Sequence, residues 1–216
     1  MILDVPLIRQ PKDSVDCGIT GLAMLFKYYG LDKSFKDLKS EIEVDEIGTY
    51  APQLGSYLIK NNFDVEIVTL HPMLFTNKDR GLSNKKILSR LNELHKTAKI
   101  ERNKKALDYF IKFIEDGGKI NIKIPSLEDI KEEISNNRPI CALLTSNFIL
   151  GSKPKFNFHF NLITGLDNNY VYVNDPLWDN ERGGKKKYNI HDFFFGLYAS
   201  CYGDLDNACL IKIKKK

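Results

Sequence analysis

Four cysteines, four histidines and a single tryptophan are few for 216 residues, and each scarcity removes a class of function. Cys17, Cys141, Cys201 and Cys209 stand far apart. No pair falls at the short intervals of zinc ribbons or redox motifs, so neither a metal site nor a disulfide framework is expected. His71, His95 and His191 share no ligand spacing with one another or with acidic residues, and read as solvated or capping side chains. Long apolar runs are missing too. Nothing approaches the ~20 residues of a spanning helix, and Asp4 and Pro6 interrupt the stretch where a signal peptide needs continuous apolar character. A cytoplasmic protein without a membrane span is expected. Charge of one sign is also lacking: 32 basic residues face 28 acidic ones. The excess of +4 sits largely in Lys185 to Lys187 and Lys212 to Lys216, as solvated lysines on a loop and a tail. No basic stripe interleaved with aromatic residues is present, so nucleic acid is not an expected partner. There is no glycine-rich loop to cradle phosphates, and no cofactor is implied.

What is present suffices for one folded domain over residues 1–216, since 43% of residues are hydrophobic and 11% aromatic. Leu22, Leu25, Phe26 and Tyr29 recur at helical spacing after Cys17, and Gly30 ends that helix. Asp13, Ser14 and Asp16 offer cap oxygens, and Gly18 and Gly21 keep the first turns thin. Ser34 to Glu41 and Tyr50 to Asn61 read as two more helices, the last entered through Gly48 and Pro52, and Phe63 to Leu70 as a strand. A lysine-rich stretch follows. Ile87, Leu88, Leu91 and Leu94, then Ala106, Leu107, Phe110, Ile111 and Ile114, give one apolar stripe per helix, so a helical hairpin is expected as an insertion at about 72–118. A strand at Lys119 to Ile124 and a helix from Ser126 to about Asn137 come next. The last third is β-rich, with strands at Pro139 to Thr145, Phe156 to Leu166, Tyr170 to Val173 and Ala208 to Ile213. Helices first and strands later point to an α+β fold, with N-terminal helices packed on a C-terminal antiparallel sheet.

Within that layout Cys17 opens a helix, where unsatisfied N–H groups and the helix dipole favour a thiolate. A lone cysteine there also serves as a small buried hydrophobe. His159 lies in an aromatic and apolar strand and could be a core histidine held by a carbonyl. Asp175 ends a strand before Pro176 and could be a turn residue. The three meet if the two strands pair around Asp167 to Asn169, and then supply nucleophile, base and orienter. Gln10, seven residues before Cys17, can fold back so that its amide and the Cys17 N–H face one oxyanion; otherwise it is an exposed loop residue. Trp178 and Asp179 are positioned either to line a substrate cleft or to form a surface loop. The Phe193-Phe194-Phe195 cluster with Tyr198 reads as packing.

The segments RQPKDSVDCGITGLAMLFKYYG and HFNLITGLDNNYVYVNDP resemble the nucleophile and histidine–aspartate regions of the bacteriocin-processing cysteine peptidases, family 39 of the papain clan, which cut after double-glycine leaders. Gly48 to Phe63 resembles that family's third helix, and Arg138 to Leu144 the strand entering its histidine region. The resemblance implies a papain-like fold, with Cys17 as nucleophile, His159 as base, Asp175 as orienting acid and Gln10 at the oxyanion. It implies a free-standing cysteine peptidase acting on peptide or protein substrates, including leader-peptide processing. A catalytically silent peptide-binding module and an acyltransferase or transpeptidase on the same scaffold are the alternatives. Nucleotide cyclisation is a distant third, given the absence of a phosphate loop.

Overall fold

The computed structural model describes residues 1–70, 74–151, 158–200 and 209–216. Phe156 and Ala208, named above as element boundaries, and position 72, where the insertion was set to begin, lie outside them, as do Cys201 and His71. Helix α1 (Cys17–Tyr28) buries nearly all its side chains and packs on strand β4 (Phe158–Leu166). Gly30 ends it with φ +68°. The Gly30 N–H bonds Lys27 O at 3.2 Å and the Leu31 N–H bonds Phe26 O at 2.9 Å, a paired closure that a left-handed glycine makes cheap. Helix α2 (Phe35–Glu41) starts at a reciprocal Ser34–Asp37 cap, and helix α3 (Ala51–Lys60) carries Pro52 in its first turn.

One seven-stranded sheet carries the fold, in the order β2-β1-β7-β3-β4-β5-β6. Strand β1 is Phe63–Thr69, β2 Lys119–Ile122, β3 Ile140–Thr145, β5 Tyr170–Asp175, β6 Gly184–Asn189 and β7 Cys209–Lys215. The mixed α+β architecture is the expected one, but the sheet is neither wholly C-terminal nor wholly antiparallel. Strand β1 comes from the helical half, and β1 and β2 run parallel, with Glu66 across from Lys119. Parallel neighbours need a long crossover, and helices α4 (Asn84–Thr97) and α5 (Glu101–Glu115), packed on each other, provide it.

These two helices enter the core. Ile87, Leu91, Leu107, Phe110 and Phe113 are buried. The Phe113 ring occupies the space over Gly55 and Gly118, where an added methyl would lie 2.6 and 2.3 Å from it. Helix α6 (Leu127–Ser135) begins at a Ser126–Asp129 cap, and its buried Asp129 and Glu133 pair with Lys123, Arg138 and Lys212.

Strand β6 and helix α8 (Ile190–Ala199) both escaped the sequence reading. Strand β6 consists of GKKKYN at the sheet edge, where lysines on a solvated strand leave no apolar alternation to detect. Helix α8 lies where no element was assigned; Phe193 and Leu197 face the core, while Phe195 stays 56% exposed against Phe148 of the single turn α7 (Ser146–Ile149), ring centroids 4.5 Å apart. The aromatic cluster is therefore packing for Phe193 and surface for Phe195.

Candidate active site

Cys17 is the first residue of α1, and what surrounds it fixes its position. A methyl on Gly18 would lie 2.2 Å from Thr49 Oγ1 and 2.9 Å from Leu54, so the first turn sits directly on the loop before α3. Gly21, by contrast, has open space around it, so only one of the two expected glycines is required by packing. The cap oxygens suggested by Asp13, Ser14 and Asp16 do not act as caps. Asp16 holds the cap position without a side-chain bond to the helix; its buried carboxylate instead pairs with Lys39. Its carbonyl accepts from the Thr20 N–H and Oγ1–H at 2.9 and 2.8 Å. With no cap side chain on them, the first-turn N–H groups remain to favour negative charge at the helix start.

His159 enters from β4, beside β3, and Asp175 closes β5. These strands pair antiparallel with Leu162 across from Asn174. Continuing that register sets Asp175 across from Asn161 and diagonal to His159, within side-chain reach. His159 Nε2 lies 2.6 Å from Asp175 Oδ1, which also accepts the Leu177 N–H at 2.8 Å. Both residues are buried. The Cys17 side chain lies close enough to the same imidazole to help raise its pKa. With Nε2 turned to Asp175, Nδ1 is the nitrogen left for the sulfur. Burial pulls the His159 pKa down, yet the Asp175 charge and hydrogen bond, with the Cys17 contact, outweigh it and push the value up to about 10.

Gln10 is buried rather than an exposed loop residue. Its N–H bonds Pro176 O at 2.7 Å and its Nε2 donates to Ser14 O at 2.7 Å, so it ties the segment after Asp175 to the segment before Cys17. Its Oε1 is buried without a partner among the described residues. Trp178 is half-exposed beneath Lys12, whose Nζ stands 5.5 Å from the ring centroid.

Three neighbours were not singled out from sequence. Asn161, on the same strand face as His159, donates to the His159 carbonyl at 3.3 Å. The Tyr188 hydroxyl is buried, with its pKa raised by burial and by the Asp175 charge. Arg9 donates to Leu177 O at 2.5 Å and to Asn180 Oδ1 at 3.1 Å, which holds the loop after Asp175 against the Gln10 segment. Period-two spacing from His159 could have flagged Asn161; nothing local marks Tyr188 or Arg9.

Other candidates are set apart. Cys141 and Cys209 are buried in β3 and β7, and burial pushes the Cys141 thiol up to about 12. His95 pairs with Asp108 across α4 and α5 at 3.0 Å. Among the described residues no cluster of three or more acidic, histidine or cysteine side chains could hold a metal ion, and no helix is long and apolar enough to cross a membrane.

The sequence model of the peptidase C39-like family matches residues 2–206. The chain belongs to this family. No curated protein matches it significantly. Among solved structures, a double glycine motif protease from an AMS/PCAT transporter, crystallised in complex with the leader peptide, is 15% identical, with a TM-score of 0.51 over 100% of this chain and 94% of that one. The peptidase domain of Streptococcus ComA, a bifunctional transporter involved in quorum sensing, is also 15% identical, with a TM-score of 0.51 over 97% of this chain and 98% of its own. A protein described as a C39-like peptidase from Bacillus anthracis is 16% identical, with a TM-score of 0.50 over 100% and 98%. At such identities the structures speak for a shared papain-like fold. With the family match, they make this C39-like protein a papain-like cysteine peptidase.

Proposed function

We propose that this C39-like peptidase cleaves peptide bonds with Cys17 as nucleophile, His159 as base and acid, Asp175 as orienter and Gln10 at the oxyanion, and that its substrates are leader-type peptides cut after small residues. The observation that carries the reading is the buried His159–Asp175 pair at 2.6 Å with the Cys17 side chain on the same imidazole at the start of an uncapped helix. The solved relative bound to a leader peptide lends the substrate class.

In this scheme the Cys17 sulfur adds to the scissile carbonyl carbon as the C=O π pair moves to oxygen. The oxyanion is met by the Cys17 N–H and the Gln10 amide. Collapse breaks the C–N bond, and the imidazolium of His159 gives its proton to the departing amine. Water then adds to the thioester while His159 takes a proton from it, and collapse of that second intermediate releases the acid and restores Cys17. Asp175, fixed by the Leu177 N–H, keeps the imidazole in one tautomer and orientation throughout.

The test is mass spectrometry of products from a peptide library with and without double-glycine sites, incubated with wild-type and Cys17→Ala protein. Wild type should release fragments ending in small residues, and Cys17→Ala should lose at least about a thousandfold in rate. Equal product from the two proteins would remove Cys17 from the chemistry, and cleavage without regard to glycine would remove the leader-type substrate.

A further inference from the structure

The loop 43–49 connects α5 to the nucleophile. At its tip Gly48, at φ +113°, lies against Val15: a methyl there would stand 3.0 Å from Val15 O. The next residue, Thr49, abuts Gly18. The loop therefore borders Cys17 on both sides in sequence. At its tip, Ile47 is 53% exposed, and Val15, which lies against the next residue Gly48 and two residues before Cys17, is 40% exposed, so the loop and the turn that carries the sulfur each present an apolar side chain to solvent.

The base of this loop is fastened from the crossover helices. Lys105 of α5 places Nζ 2.5 Å from Asp45 Oδ1 and 3.0 Å from Glu43 Oε1. The same ammonium lies 5.9 Å from the centroid of the Tyr109 ring, which in turn packs on Tyr50 at 5.3 Å. Hydrogen bonds to the two carboxylates, Asp45 first, raise the Lys105 pKa above its ordinary range, so the fastening persists through neutral and mildly alkaline pH. Gln53 adds a bond to Glu43 O at 2.6 Å, and Asp45 and Gly48 exchange N–H···O bonds at 3.0 Å. A single exposed ion pair counts for little. One lysine holding two carboxylates of a short, cross-bonded loop is a positional constraint.

We infer that loop 43–49 is a wall of the substrate cleft in which Val15 and Ile47 take an apolar side chain of the peptide, and that Lys105 is the positioning residue through which α4–α5 set that wall. The inference rests on the reading of Cys17 as nucleophile. It assigns the crossover helices a share in substrate affinity, with no part in the bond-making steps.

The test compares two irreversible probes of Cys17: iodoacetamide, too small to need the wall, and the acetylated chloromethyl ketones of Leu-Gly-Gly and Asp-Gly-Gly. Wild type should prefer the leucine probe. In Lys105→Glu the iodoacetamide rate should stay within about twofold of wild type while inactivation by the leucine probe falls about fivefold, the loss lying in the apparent binding constant and not in the limiting rate. Lys105→Arg should restore it. Ile47→Asp, a surface change independent of the ion pairs, should abolish or invert the preference for leucine over aspartate. An unchanged binding constant in Lys105→Glu, or a parallel fall with iodoacetamide, overturns the role of Lys105, and an unchanged preference in Ile47→Asp overturns the wall. Wild-type protein in which Cys17 reacts no faster than Cys141 would strike the nucleophile reading itself, and this inference with it.

Discussion

His159 is buried where an isolated imidazole would shed its proton, yet its neighbours keep the proton on. Its pKa is pushed up to about 10 against an ordinary 6.5, with Asp175 and Cys17 overcoming the penalty of burial. Because the folded value is the higher one, the stabilisation from protonated His159 is complete below pH 6.5 and is lost as pH rises through about 10. Thermal melts of wild-type protein should therefore drop across that range, and the drop should be shallower in His159→Gln; parallel curves would contradict a raised His159. The glycines of α1 offer a second contrast. Gly21→Ala should stabilise by roughly 0.5–1 kcal/mol, since the new methyl meets open space and alanine is the better helix former. Gly18→Ala drives its methyl into Thr49 and Leu54, and should cost stability and misplace the adjacent Cys17 sulfur, seen as slower iodoacetamide labelling in a protein that still melts cooperatively. The approach of Cys17, His159 and Asp175 was legible in the sequence because a helix start and a single hairpin with an Asp-Asn-Asn turn suffice to place them. Asn161 was hidden by its polar ordinariness, and Arg9 and Tyr188 by contacts made across more than ten residues of loop or strand, which no local pattern encodes.

Among the elements, α4 and α5 show where periodicity informs and where it stops. Their apolar stripes announced two helices, but could not say whether the pair decorates the surface or completes the core. The parallel register of β1 and β2 answers that: the pair is the crossover those strands require. Excising it is thus no test of substrate gating, because the deletion would uncover Ile87, Leu107 and Phe110 together with the strand faces beneath. A point change measures its structural weight instead. Phe113→Ala should destabilise by roughly 3–5 kcal/mol, read from urea denaturation, since the ring has no substitute over Gly55 and Gly118. A loss under about 1 kcal/mol would mean that the site collapses on itself and that the ring is not the wedge the packing suggests. Strand β6 and helix α8 were illegible for opposite reasons: one is too charged for an edge strand to betray itself, the other so aromatic that its inward and outward faces look alike.

At the scale of the whole molecule, the three described thiols are sorted by depth. Cys141 lies on β3 and Cys209 on β7, both buried near the middle of the sheet, while Cys17 is half-buried at a helix start. Under native conditions iodoacetamide should modify Cys17 and spare these two, which should become reactive only with the denaturant dependence of global unfolding, as followed by peptide mapping. Early modification of Cys141 in folded protein would show that the sheet opens locally. The placement of β7 carries a last consequence. It lies between β1 and β3, so among the described residues the pair β2–β1 and the run β3 to β6 are joined in the sheet only through residues 209–215. During synthesis the strands bearing His159 and Asp175 emerge together with β3 and β6, but the two halves of the sheet cannot be stitched together until β7 has emerged as well. A nascent chain is then held as two unjoined half-sheets until residues 209–215 have emerged, so the sheet closes late in the order of synthesis.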